Sequence, residues 1–181
     1  MTYVAFLRGV NVGGNSIVSM SAIKQSLVSI GLSEVRTYIN SGNVIFTSRA
    51  SDRRRLATRI EKALERDTGM AIKLLVLNHD ALKKVVDAIP RGWVDDKTMR
   101  TYVLLLWEEV DDRGILKTLP TKPGIDELKY APGAVIWRVD RKDLAKSQMN
   151  RIVGTPVYKK ITMRSANTMR KLYDLTSEGG R

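Results

Sequence analysis

The chain has 181 residues, 31 Lys plus Arg against 19 Asp plus Glu, and a formal net charge of +12. With no Cys and a single His, it excludes a disulfide framework, a thiolate zinc site, an iron–sulfur cluster, a thiol nucleophile and a His-rich metal centre. An apolar share of 43% supports a packed core and argues against disorder, and no apolar run approaches the roughly 18 residues of a membrane span.

The first segment, Met-Thr-Tyr-Val-Ala-Phe-Leu-Arg, has no basic leader and reads directly as a strand over 3–8. The expectation is a cytoplasmic globular protein with no membrane partner. A Gly/Asn-rich loop, Gly9 to Asn15, follows. Met20, Ile23, Leu27 and Ile30 then recur at helical spacing, with Ser19 as N-cap and Gly31 as stop. Strands at 35–40 and 43–48 flank Ser41-Gly42, the signature of a two-residue hairpin turn. Pairing Asn40 with Asn43 places Val35, Thr37, Ile39, Val44 and Phe46 on one face. A helix from Asp52 to Thr68 carries the apolar stripe Leu56, Ile60, Ala63 and Leu64 and stops at Gly69. An apolar strand over 71–77 completes a β-α-β-β-α-β order, the split βαβ of the ferredoxin-like fold.

A connecting helix from Asp80 to Ile89 leads to a Pro90–Asp96 link, and the pattern then recurs. It comprises a strand at 100–107, a short helix from Asp111 to Leu119, and strands at 126–130 and 134–139 around the turn pair Pro132-Gly133. A helical segment at 142–150, a strand at 160–164 and a helix from Asn167 to Leu175 end the chain, with Asn167 expected as its cap and Thr162 on an edge strand. The fold class is therefore α+β, with two pseudo-duplicated ferredoxin-like halves whose antiparallel sheets carry helices on one face. The halves are residues 1–78 and 98–181, joined by a helix and linker at 79–97. Each remaining sheet face must be solvated, bind something or pack on a neighbour.

Four features bear on chemistry. Gly9-Val10-Asn11-Val12-Gly13-Gly14-Asn15-Ser16 has the G-x-x-x-x-G-x-S spacing of a phosphate loop, but Asn15 stands where the phosphate-reaching Lys belongs. A backbone anion nest beside Arg8 is the milder reading, and a turn that needs Gly for backbone reasons is the bland one. The hairpin tip Asn40–Asn43 reads as turn chemistry or as a polar recognition tip. His79 reads as a helix-start residue. The acidic pairs Asp95-Asp96, Glu108-Glu109 and Asp111-Asp112 suit a helix start or exposed surface better than a metal site.

The charge is locally concentrated. Between Arg138 and Lys171 lie Arg138, Arg141, Lys142, Lys146, Arg151, Lys159, Lys160, Arg164, Arg170 and Lys171, against only Asp140 and Asp143. A second cluster comprises Arg49, Arg53, Arg54, Arg55, Arg59, Lys62 and Arg66, interspersed with Asp52, Glu61 and Glu65. Either suits a polyanion, with a solvated charged face as the plain alternative. The βαββαβ order also belongs to RNA-recognition modules, which stack bases on central-strand aromatics. Tyr3, Phe6 and Phe46 occupy such strands, but the signature of that module is absent.

The stretches Phe6–Gly14, Thr37–Phe46 and Thr162–Thr168 with Lys171-Leu172 together resemble the bacterial domain-of-unknown-function family 1697. The resemblance implies two ferredoxin-like halves and brings no activity, cofactor or catalytic residue. It places Arg8, Asn11, Gly13, Gly14, Tyr38, Ser41, Gly42, Asn43, Arg164, Asn167 and Thr168 on family motif positions. Ser165-Ala166 stands where the family usually has Asn-Trp, so no role of that Trp transfers to this chain.

The expected function is a non-enzymatic basic module binding a phosphorylated ligand, either nucleic acid or a nucleotide. Arg8, Gly9, Asn11, Gly13, Gly14, Asn43, Arg164 and Asn167 are its candidate ligand residues. Arg138, Arg141, Lys142, Lys146, Arg151, Lys159, Lys160, Arg170 and Lys171 form its candidate nucleic-acid surface. One alternative is a small enzyme on a phosphorylated metabolite, with the Gly loop as anion cradle and Asn11, Asn43 or Arg164 orienting the substrate. Another is a structural or oligomeric protein whose open sheet faces pair. No cofactor, metal ligand or catalytic residue is assigned.

Overall fold

Five of the six residues in β1 (Thr2–Leu7) are buried, as a central strand covered on both faces requires. In this computed structural model, which describes residues 1–11 and 18–178, β1 pairs antiparallel with both β3 (Asn43–Thr47) and β4 (Leu74–Asn78). With β2 (Ser33–Tyr38) at the edge, the sheet order is β2-β3-β1-β4, the ferredoxin-like arrangement. Two helices cover one face. The hydroxyl of Ser19 accepts from the Ser21 amide to cap α1 (Met20–Ser29), whose Ile23 and Leu27 are buried. The Asp52 carboxylate accepts from the Arg54 and Arg55 amides, both at 3.0 Å, to cap α2 (Arg53–Thr68). The whole expected stripe of Leu56, Ile60, Ala63 and Leu64 is buried, and Gly69 ends the helix at φ +71°. These side chains meet Tyr3, Ala5, Leu7, Val44, Phe46, Leu74 and Val76 in one core.

The hairpin differs from its expected form. Tyr38 pairs with Asn43, so Ile39–Gly42 form a four-residue loop instead of a two-residue turn. The shift is by two positions, so it preserves the faces, and Val35, Val44 and Phe46 still point into the core. Thr37, expected on the same face, is exposed, and so is Ile39. Ile39 lies in the loop at φ +49°.

The second sheet repeats the topology in the order β6-β7-β5-β8, built from β5 (Met99–Leu106), β6 (Glu127–Ala131), β7 (Ala134–Asp140) and β8 (Ile161–Ser165). Thr162 lies on an edge strand, as expected. Ala131 pairs with Ala134 across Pro132-Gly133, with Gly133 at φ +85°. The expected α-helices over 111–119 and 142–150 are instead 3-10 turns at Glu108–Val110, Arg113–Lys117, Arg141–Asp143, Met149–Gly154 and Pro156–Lys160. Local chemistry explains this. Asp112 caps only one short turn through the Gly114 amide at 2.7 Å. Pro156 in turn forces Thr155 into an extended conformation at ψ 150°. Two longer helices complete the chain, α3 (His79–Asp87) and α4 (Ala166–Glu178). The cap of α4 is Ser165, whose hydroxyl accepts from the Thr168 amide at 3.2 Å, and not Asn167. Two compact units result, Met1–Leu82 with Leu172–Arg181, and Lys83–Lys171.

The central strands of each sheet are buried on both faces. In the first, Val4, Phe6 and Ile45 face away from the α1/α2 core and are at most 2% exposed. In the second, Val103, Leu105 and Ile136 face away from a core built on Trp137, Leu104 and Val135, and all are at 0%. Tyr3 and Phe46 stack on each other inside the first core, with ring centroids 5.6 Å apart. No base-stacking platform is therefore presented by these strands.

The second unit turns on one buried carboxylate. Asp126 accepts hydrogen bonds from Trp137 Nε1 at 3.0 Å, the Ser147 hydroxyl, the Gln148 amide at 3.0 Å and the Lys122 amide at 2.8 Å. Burial alone would raise its pKa, but the donors outweigh burial and hold it below the ordinary carboxylate range. Its stabilisation is therefore complete above the unfolded pKa of about 3.9 and is lost as pH falls through the lower folded value. Asp126→Asn, which turns an amide NH₂ toward these donors, is expected to destabilise the protein by about 3 kcal/mol at neutral pH. It should also shallow the acid limb in urea melts recorded against pH. A parallel acid limb in both proteins would refute this role.

Candidate functional site

Phe6 pairs with Asn43, which brings the hairpin tip to the same end of β1 as the Gly loop. The Leu7 amide donates to Gly42 O at 2.8 Å. Gly42 sits at φ +73°, and a Cβ there would lie 2.9 Å from Leu7 Cβ. Asn11, at φ +56°, clasps the start of the loop. Its amide nitrogen donates to Val18 O and to Asn40 O, both at 3.0 Å, and its oxygen accepts from the Val18 amide at 2.9 Å. Asn43 is fully buried and donates to Tyr38 O at 3.2 Å and to the Ser41 hydroxyl. Asn11, Gly42 and Asn43 thus fasten loop and tip together, which gives each a backbone reason for its identity. Gly9 is exposed at φ +71°, and Arg8 is half-buried. Gly13 and Gly14 lie outside the described residues.

Arg164, on β8, is 8% exposed. Its guanidinium donates to the Thr162 hydroxyl at 3.0 Å and to Met163 O at 2.7 Å. Burial lowers its pKa to about 10, so it stays cationic at neutral pH. Asn167 is exposed and donates to Asp95 O at 2.6 Å, near the start of α4. Ala166, where the family pattern has Trp, is fully buried.

Much of the basic run from 138 to 171 is spent on the chain's own oxygens. Arg138 pairs with Glu127 and Asp140, Arg141 with Asp95, Lys146 with Asp143, and Lys160 with Glu109 at 3.7 Å. Arg170 donates to Trp93 O at 2.9 Å. Lys142, Arg151, Lys159 and Lys171 are exposed and make no ion pair among the described residues.

The second cluster forms a concave surface. A groove of about 670 Å³ runs along α2, lined by Arg54, Arg55, Arg59, Lys62 and Arg66 over Ile30, Thr58 and Ala63. No carboxylate lines it. Arg55, Arg59, Lys62 and Arg66 each precede a buried position or its neighbour, so the helical period turns them out beside the core stripe. Asp52 offsets Arg55 at 3.3 Å, and Asp67 offsets Arg66 at 2.6 Å. Arg59 and Lys62 are exposed and make no ion pair among the described residues. Sequence reading registers this cluster but gives its weight to the longer C-terminal run. The overlooked signal is spacing. Positions i, i+4, i+7 and i+11 on a helix form one line of charge, whereas the C-terminal cations are scattered over strands, turns and the start of α4.

The remaining polar candidates have structural roles. Asp96 accepts from the Thr98 hydroxyl and the Thr98 and Met99 amides. Asp111 accepts from the Gly133 amide at 2.8 Å and the Tyr130 hydroxyl at 3.0 Å. His79 begins α3, stacks on Tyr173 at 5.0 Å and lies 3.0 Å from the Thr176 hydroxyl. Among the described residues, no group of three or more His, Asp and Glu is placed to hold a metal ion. Nor is any helix there long and apolar enough to cross a membrane.

Residues 1–137 match the model of a family described as a protein of unknown function, DUF1697. The third resembling stretch, Thr162–Thr168, lies beyond the matched segment. The fold is similar to that of the conserved bacterial protein SP0830 from Streptococcus pneumoniae. The TM-score is 0.82 at 26% identity, covering 97% of this chain and 98% of that one. No curated protein matches the sequence.

The loop-and-tip clasp generates a paired test. Gly9→Ala meets no atom within 4 Å and carries only the strain of its positive φ, about 1 kcal/mol. Gly42→Ala adds a clash with Leu7 and is expected to cost about 3 kcal/mol. Equal losses in chemical denaturation would rule out the close approach of tip and strand.

Proposed function

We propose, for a chain that belongs to the DUF1697 family of proteins of unknown function, a non-enzymatic role in binding a phosphorylated polyanion along α2. The observation that carries this reading is the groove itself, where five cationic side chains converge with no carboxylate in the lining. Such an array raises the local concentration of phosphate oxygens, and its contacts release counterions. Arginine suits the role, because its planar guanidinium donates two parallel hydrogen bonds to a phosphate. The exposed Lys142, Arg151, Lys159 and Lys171, with Arg8 beside the Gly loop, add a weaker attractive field. Arg164 supplies charge from below the surface and does not itself reach a ligand.

Labelled inorganic polyphosphate is the direct probe. Binding at about 50 mM salt should weaken steeply as salt rises. The double reversal Arg59→Glu, Lys62→Glu should weaken it at least tenfold, a loss of about 1.4 kcal/mol or more. Lys142→Glu, Lys159→Glu should cost less. Absence of binding at low salt, or equal binding by the α2 reversal and the parent, would refute the proposal.

A further inference from the structure

We infer that the α2 groove takes the phosphate backbone of a nucleic-acid duplex in preference to a single strand. This rests on the reading of the groove as a phosphate site and narrows it to one ligand geometry.

The cations of α2 form a line. Arg55, Arg59, Lys62 and Arg66 lie at i, i+4, i+7 and i+11 of one helix, within about 60° of a common line. Eleven steps of helical rise carry that line about 16 Å. Phosphates of one duplex strand advance about 3.4 Å each along the axis while the strand winds around it, so a straight line of this length faces about two or three of them.

That line rests on a rigid support. The stripe is carried by 16 residues of continuous helix, held down by Leu56, Ile60, Ala63 and Leu64. Thr58 and Ala63 of that helix, with Ile30 at the C-terminal end of α1, form the floor between the cations. A stiff row of cations is complementary to a stiff row of phosphates. A flexible strand must lose conformational freedom to lie along the same row.

The groove lining presents no ring on which a base could stack. Proteins that hold single strands recover the ordering cost by stacking bases on aromatic rings. The lining here is cationic, aliphatic and hydroxylic, with no ring. Of the aromatics of the neighbouring sheet, Tyr3, Phe6 and Phe46 are at most 1% exposed, and Tyr38, half-buried on the edge strand β2, is not part of the groove lining. A single strand would therefore meet the same charges as a duplex, with neither the fixed phosphate spacing nor a stacking surface to favour it.

The test is fluorescence anisotropy across a salt series, with a labelled duplex and each of its separated strands. Parent protein is compared with Arg59→Ala, Lys62→Ala and with the charge-keeping Arg59→Lys, Lys62→Arg. Both positions are exposed, so equal thermal melts check that all three proteins are folded. The duplex should bind at least tenfold tighter than either strand. The alanine pair should reduce the slope of log K against log salt by about 1.8, two phosphate contacts at about 0.9 each. The charge-keeping pair should leave the slope near the parent's. Strands that bind as tightly as the duplex, with the alanine pair still flattening the slope, overturn the duplex assignment and leave the phosphate site standing. A duplex slope indifferent to the alanine pair overturns the assignment to α2. Failure of duplex, strands and polyphosphate alike overturns this inference together with the reading beneath it.

Discussion

The central strands of each four-stranded sheet are closed to solvent on both faces, and that constraint shapes what the protein can offer a ligand. A ferredoxin-like sheet with helices on one side ordinarily has a second face to present. Here Val4, Phe6 and Ile45 in one sheet, and Val103, Leu105 and Ile136 in the other, are withdrawn from water. The hydrophobic gain from that face goes into stability. The same burial makes the central strands apolar at successive positions instead of alternating, as in Tyr3–Leu7 and Val103–Leu106. A recognition surface must then be built on helices and loops.

Charge is the other resource, and the fold distributes it unevenly. In the second unit the 3-10 turns and short strands bring carboxylates close to cations, so Arg138, Arg141, Lys146 and Lys160 are each matched. Such surface pairs add little to stability, but they reduce the field the region projects. On α2 the period of the helix does the opposite. It turns the acidic residue Glu61 toward Lys73 at 2.7 Å and the Leu74 amide, away from the groove, and aligns the arginines on another side. The count of cations is larger in the C-terminal run, yet the aligned set lies on α2, where Asp52 and Asp67 offset Arg55 and Arg66 while Arg59 and Lys62 make no ion pair among the described residues.

The fold was legible where one local signal decided an element. Ser19, Asp52 and Gly69 mark their helix ends correctly, and the stripe on α2 is complete. It was illegible where two signals competed. Segment 108–119 has apolar residues at helical spacing, but Asp111 is drawn to the Gly133 amide and Asp112 to Gly114, so only single turns form. At the final helix, both Ser165 and Asn167 are good capping types, and the end of β8 decides for Ser165. The motif residues Asn11, Gly42 and Asn43 were visible as a set, but their mutual contacts depend on the register Phe6 to Asn43, which no local pattern specifies. The basic groove was present in the sequence as spacing, while a plain count of charges favoured the other cluster.

The central claim is that phosphates meet this protein along α2. The most direct measurement is the change in backbone amide NMR shifts as an unlabelled nucleic-acid duplex is added to the whole chain. The account predicts the largest changes at Arg54–Arg66 and at Ile30, with smaller ones at Lys142, Arg151, Lys159 and Lys171. Shifts concentrated between Arg138 and Lys171, with α2 undisturbed, would contradict it.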